Sequence, residues 1–242
     1  MLETFQNLFA PPRHMILLVI AAWLGLTLAE RRTEKFGVSK DDLNNVSFYS
    51  LIAFVIGGRI SYVLQNISAF SKSPLGIISI NPDLFDPIGA LAAALIVLFA
   101  YSQRKQLSVW GVLDALTLFF AILAIGLGLS HLAAGTAFGL PTDLPWGINL
   151  WNETRHPTQL YDAIASSLIL ILLWRFKPNP HPGITFLTFG ALTALSQLFL
   201  QAFRADYTVI FNGLRQEQIL AWFALLACFS LLEIRIRPAN KT

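Results

Sequence analysis

Long apolar runs separated by short polar breaks dominate this chain, and the spacing of the breaks predicts seven helices. A helix rises about 1.5 Å per residue, so about 20 apolar residues cross the roughly 30 Å of hydrocarbon in a bilayer. The runs cover about 15–29, 46–64, 84–101, 109–133, 158–174, 183–203 and 218–234. The second is the most polar, with Asn45, Ser47 and Ser50 in its first turns and Arg59 near its far end, which implies a tilted or partly protein-buried span. Ahead of the first run, Leu2, Phe5, Leu8 and Phe9 recur at helical spacing and predict a short helix lying on the membrane surface. Arg13 alone precedes the first run and no small-residue cleavage site precedes Glu30-Arg31-Arg32, so that run reads as a retained signal anchor. The fold class is all-α: a polytopic membrane protein forming a single transmembrane domain over 1–242, with small outer loops at 65–83 and 136–157.

Composition agrees with the pattern. Hydrophobic residues make up 55% of the 242 and charged residues 13%, about half the charged share of soluble domains, which is roughly 25%. The net charge of +3 reflects basic residues in short loops, which argues against nucleic-acid binding and sets topology instead. Eleven basic residues fall on one side: Arg31, Arg32, Lys35, Lys40, Arg104, Lys105, Arg175, Lys177, Arg235, Arg237 and Lys241. Five fall on the other: Arg13, Lys72, Arg155, Arg204 and Arg215. The excess of cationic residues marks the cytoplasmic side, so the N-terminus is expected outside and the C-terminus inside. Cys228, the sole cysteine, lies in the last apolar run and reads as a small buried hydrophobe.

Three polar groups interrupt the apolar pattern. Arg155-His156-Pro157-Thr158-Gln159-Leu160-Tyr161-Asp162 stands directly before an apolar helix. Proline suits a first helical position, which places His156 as the N-cap and surrounds one helix N-terminus with Arg155, His156 and free amides, a seat for phosphate. Gln159, Asp162 and Ser166 then form one polar stripe on that helix. Arg204 closes the sixth run beneath Gln197 and Gln201 at spacing four. In Gly57-Gly58-Arg59-Ile60-Ser61-Tyr62 the paired glycines permit close helix approach, while Arg59 and Tyr62 share a face; Arg59 either clamps a lipid phosphate or snorkels to headgroups. The fourth run carries Asp114 and His131, separated by about 26 Å at 1.5 Å per residue. Asp114 reads as a cap or as one half of an ion pair, and His131 as a core histidine or a general base. Arg59, Arg155 and Arg204 either converge on one anion or snorkel independently. The four histidines are scattered without metal-ligand spacing, and no cofactor is implied.

These segments, together with Phe203-Arg204 and Gly213-Leu214-Arg215-Gln216-Glu217-Gln218-Ile219-Leu220 before the last run, resemble the bacterial prolipoprotein diacylglyceryl transferase family. The resemblance implies transfer of the diacylglyceryl group of phosphatidylglycerol to the thiol of a lipobox cysteine, with release of glycerol phosphate, at the outer face of the bacterial cytoplasmic membrane. The implied partners are phosphatidylglycerol, the signal peptide of a lipoprotein precursor and the lipid bilayer. Arg59, Tyr62, Arg155, Gln159, Tyr161, Gln197, Gln201 and Arg204 are then the expected substrate-binding residues. The chain also departs from the family pattern. Asp86-Pro87-Ile88-Gly89 stands where the family has a histidine followed by two glycines, its signature arginine and glutamate fall on Gly128 and Thr136, and Gln197 and Gln201 replace an arginine and a glutamate. His131, His156 or Asp86 is therefore the expected substitute base, and a noncatalytic relative that binds lipid or a partner membrane protein is the alternative.

Overall fold

The computed structural model describes residues 2–236 apart from 73, 79, 80, 82, 83, 176, 178, 180, 211 and 212, so Arg237 and Lys241 of the topology argument lie outside it. Nine α-helices are described: α1 (Leu2–Leu8), α2 (Met15–Glu30), α3 (Lys40–Gln65), α4 (Ile67–Lys72), α5 (Pro87–Arg104), α6 (Val109–Ala134), α7 (Thr158–Arg175), α8 (Ile184–Leu200) and α9 (Gln216–Ile236). All seven expected runs are helical. Among the described residues, five helices are long and apolar enough to cross a membrane: α3, α5, α6, α9, and α8 taken through to Phe203. α2 is apolar over 16 residues, and α7 gathers its apolar residues after a polar first turn. This is an all-α membrane protein. Its helices turn side chains such as Val19, Ile96, Leu168, Phe199 and Phe223 outward, where water would penalise them and lipid does not.

The chain packs as two compact units, Gly37–Val112 and Met1–Phe36 with Leu113–Thr242. In the smaller unit, α3 begins six residues before the expected start because the Ser39 hydroxyl accepts the Asp42 amide as an N-cap. α5 begins at Pro87, three residues later than expected, because Asp86 caps it. The Gly57-Gly58 expectation holds: a Cβ on Gly57 would come within 2.2 Å of the Ala93 Cβ, and one on Gly58 within 2.4 Å of the Phe85 ring. Lipid is as apolar as leucine, so small residues that let backbones approach are what draws such helices together.

The larger unit repeats the device. A Cβ on Gly126 would meet Ala21 at 2.3 Å, fixing α6 on α2, and one on Gly128 would meet the Gln159 carbonyl at 2.8 Å, fixing α6 on α7. Cys228 of α9 packs against Gly190 of α8, beside a core of Ala191, Ala194 and Leu225. Asp114 is a structural cap, though of another helix than its own: its buried carboxylate accepts the Gly183 amide at 2.6 Å and the Phe186 amide at 2.8 Å at the start of α8. The 136–157 loop contains a short hairpin, β1 (Ile148–Leu150) with β2 (Glu153–Arg155), in the register Leu150 opposite Glu153. Its two-residue turn puts Trp151 and Asn152 at φ of 57° and 61°, the positive values that a type I′ hairpin requires. A second hairpin, β3 (Val209–Ile210) with β4 (Leu214–Arg215), leads into α9.

Candidate functional site

The first turn of α7 is assembled by its neighbours. The Thr158 hydroxyl donates to the Ala137 carbonyl at 2.6 Å, and Gln159 Nε2 donates to the Thr136 carbonyl at 2.8 Å. Gln159 is fully buried, and its Oε1 has no hydrogen-bond partner among the described residues. The expected open anion seat is corrected here. The Pro157 carbonyl, not His156, begins the helical ladder by accepting from Leu160 and Tyr161, and the Thr158 amide donates back to His156. Three amides of that turn are therefore already engaged.

A backbone lattice holds the residues that precede α7. The Leu140 amide donates to the Phe203 carbonyl at 2.8 Å, Ala205 to Phe138 at 3.0 Å, and His156 to Leu140 at 3.0 Å. Gly139 lies at the crossing, where a Cβ would come within 2.3 Å of the His156 carbonyl oxygen, so only glycine lets these strands of backbone approach. His156 and Phe203 are thereby fixed side by side, with ring centroids 5.1 Å apart.

These two rings stand at the polar end of an open cleft of about 400 Å³. Tyr161, Ile164, Ala165 and Leu168 of α7 form one wall at helical spacing, Phe199 and Leu200 of α8 with Phe203 form another, and Leu144 and Trp146 of the preceding loop complete it. The lining is apolar except at the end where Trp146 Nε1 donates to Tyr161 Oη at 2.9 Å and His156 Nδ1 lies 3.3 Å from the same oxygen. Pockets for amphiphiles have this form: apolar walls with a few polar groups converging at one end.

The arginines are already engaged. Arg155 pairs with the Glu153 carboxylate, donates to the carbonyls of Leu150 and Gly139, and lies over the Phe138 ring at 5.1 Å. It braces the hairpin. Arg204 makes a bidentate pair with Asp206 at 2.9 and 3.1 Å, and its other terminal nitrogen lies 3.9 Å from Asp162. Asp162 accepts from Gln197 Nε2 at 2.8 Å, and Gln197 Oε1 accepts from Gln201 at 3.1 Å, so one hydrogen-bonded row links α8 to α7. Arg215 secures the turn beyond it, donating to the Gln201 and Arg204 carbonyls while lying 3.9 Å over the Tyr207 ring. The His131 ring makes no hydrogen bond among the described residues and feels the charges of Arg204, Asp206 and His14.

Three expected site residues belong to the smaller unit. Arg59 donates to the carbonyls of Gly76, Ile77 and Leu84 and lies 5.6 Å over Phe70, so it neither points freely at headgroups nor snorkels: it folds the segment that follows α4. Tyr62 packs edge-on against the same Phe70. Asp86 accepts from the Ser61 hydroxyl at 2.6 Å, Gln65 at 2.9 Å and the Gly89 amide at 3.0 Å. Hydrogen bonds from Ser61 first, and then from Gly89, hold its carboxyl below the ordinary aspartate range, which weakens it as a base. Sequence reasoning missed Trp146, Phe203 as a cleft wall, and the carboxylates Glu153 and Asp206 that occupy the arginines. The signal for the carboxylates was present, since each lies two residues from its arginine.

Helices with outward apolar faces and an open cleft, polar only at one end, define a membrane protein that handles an amphiphile. Residues 13–234 match the model of the prolipoprotein diacylglyceryl transferase family, and the chain belongs to that family. It is 26% identical over 213 residues to the phosphatidylglycerol–prolipoprotein diacylglyceryl transferase of Clostridioides difficile, covering 87% of this chain and 85% of that one. The enzyme of the same name from Enterococcus faecalis is 24% identical over 97% of this chain and 90% of its own length. That of Trichormus variabilis is 27% identical, with 92% and 86% covered.

Proposed function

We propose that this chain is a phosphatidylglycerol–prolipoprotein diacylglyceryl transferase, working as one seven-span transmembrane domain of the bacterial cytoplasmic membrane with its N-terminus outside. The observation that carries the reading is His156 at the polar end of the apolar cleft. A diacylglyceryl chain lies along Ile164, Leu168 and Phe199, which brings the lipid's phosphate linkage to the His156 end. The lipobox thiol, with an ordinary pKa of about 8.5, gives its proton to His156 as its sulfur bonds the glyceryl carbon. The C–O bond to phosphate breaks, glycerol phosphate leaves with the bond's electron pair, and the imidazolium returns its proton to water.

His156 is the base of choice over His131 and Asp86 because it alone of the three lines the cleft, and because Asp86 is a cap of lowered basicity. Arg204 follows directly on Phe203 and is the cation available to the phosphate, recruited by displacing the partly exposed Asp206. Tyr161 and the Gln197–Gln201 row shape the polar end, Gln159 anchors α7 beneath it, and Arg155 holds the loop above. Arg59 and Tyr62 act through the segment they fold.

The test supplies purified protein in phosphatidylglycerol-containing nanodiscs with a lipobox peptide and looks for a diacylglyceryl mass gain on the cysteine. His156→Gln is expected to lower the rate about 100-fold or more, the usual range for loss of a general base. One observation favours a second reading, a noncatalytic lipid-binding relative: the arginines are neutralised by Glu153 and Asp206, and Gln197 and Gln201 are uncharged. Lipid binding with no peptide product from the wild-type chain would establish that reading instead.

A further inference from the structure

We propose that Trp146 is a positioning residue for this reaction, its indole N–H fixing the Tyr161 hydroxyl that orients His156. The inference rests on the reading that His156 acts as the base. An indole nitrogen only donates, so at 2.9 Å the Tyr161 oxygen must be its acceptor. That oxygen retains one lone pair and one proton. His156 Nδ1 lies 3.3 Å away, so when Nδ1 carries the hydrogen it donates to the remaining lone pair. Nε2 is then the unprotonated nitrogen, free to accept from a thiol. The same phenol oxygen continues to accept from Nδ1 after the imidazolium forms, so the contact serves both halves of the proton transfer. A base oriented through its second nitrogen by a fixed partner is a recurring solution in histidine catalysis.

The loop that carries Trp146 is built to hold it. The Thr142 amide donates to the Thr154 carbonyl at 2.9 Å, and the Gly147 amide donates to Leu144 at 2.9 Å. A Cβ on Gly147 would come within 2.6 Å of the Thr154 methyl, so the loop lies flat on the hairpin that Arg155 braces. Trp146 is 57% exposed, which leaves its ring face available to the cleft while its N–H is engaged. The indole therefore has two separable contributions, one polar and one apolar.

Trp146→Phe removes the N–H and keeps the wall; Trp146→Ala removes both. Trp146→Phe is expected to lower kcat roughly 10- to 100-fold, the scale of a misoriented catalytic group, to shift the acidic limb of the pH–rate profile, and to leave the KM for phosphatidylglycerol unchanged. Trp146→Ala is expected to raise that KM as well. Because the two residues act in series, Trp146→Phe combined with Tyr161→Phe should be no slower than Tyr161→Phe alone. Nitrogen NMR of the His156 ring in nanodiscs reads the same contact without catalysis: one tautomer, protonated on Nδ1, in the wild type and a mixture in Trp146→Phe. A wild-type kcat and pH profile in Trp146→Phe, multiplicative effects in the double variant, or an unchanged tautomer would each overturn the inference. A fully active His156→Gln variant would instead overturn the reading on which it rests.

Discussion

At the scale of single residues, the polar side chains divide into those that hold backbone and those left to face a ligand. Asp86 illustrates the first group. Its carboxyl lies below the ordinary range because the Ser61 hydroxyl and then the Gly89 amide bond its charged form. A depressed folded-state pKa stabilises the fold fully above the unfolded value, about 3.9, and that contribution is lost as pH falls through the folded value. Ser61→Ala is therefore expected to raise the Asp86 midpoint and to shrink the acid-induced loss of stability. A carbon NMR titration of the carboxyl, with unfolding midpoints taken on both sides of pH 4, reads the two effects; an unmoved midpoint would show that Ser61 does not set it. This residue also shows what the sequence withheld. An aspartate before a proline and an apolar run is legible as a cap, but the Ser61 and Gln65 partners are 25 and 21 residues away and become visible only when α3 and α5 are paired.

At the scale of elements, the long helices were legible because their apolar runs are long, and their ends moved by caps such as Ser39 and Asp86, whereas the six-residue α4 lies within the expected 65–83 loop. The β1–β2 hairpin was hidden: its strands have three residues each and its Trp151-Asn152 turn lacks the Asn-Gly signature. Arg155 was visible as a functional cation, yet Glu153, two residues earlier, is its partner, and the pairing depends on the turn that the pattern concealed. Two variants separate brace from ligand. Arg155→Ala removes donors to Leu150, Gly139 and Glu153, and hydrogen bonds from charged groups contribute about 1.5–3 kcal/mol. Discounting for the exposed Glu153 end, amide exchange over 139–156 should accelerate about tenfold. Glu153→Gln frees the guanidinium from its counter-charge without removing it. Were Arg155 a phosphate ligand, that release would tighten phosphatidylglycerol binding; as a brace, it gives no gain, and vesicle-binding isotherms decide between them.

At the scale of the whole molecule, charge placement and hydrophobic length make one joint statement about orientation. Helices with outward apolar faces require lipid around them, and the side on which loops are basic faces the cytoplasm. The α2–α3 connection carries Arg31, Arg32 and Lys35, and Lys40 follows as the first residue of α3, whereas the α6–α7 connection, which supplies Trp146 and the hairpin, has Arg155 as its sole lysine or arginine and pairs it with Glu153. A neutralised, tryptophan-bearing loop crosses the membrane at low cost, while a connection with three cations and a fourth at its end does not. Glu34 and Asp143 are both exposed, one in each connection. With Cys228 replaced by serine, Asp143→Cys is expected to react with an impermeant maleimide in intact spheroplasts, and Glu34→Cys only after permeabilisation. Labelling of both from outside, or of Glu34→Cys alone, would reverse or break the topology. Labelling of Glu34→Cys alone would also put His156 on the wrong side of the membrane for a lipoprotein precursor that has emerged from the cell.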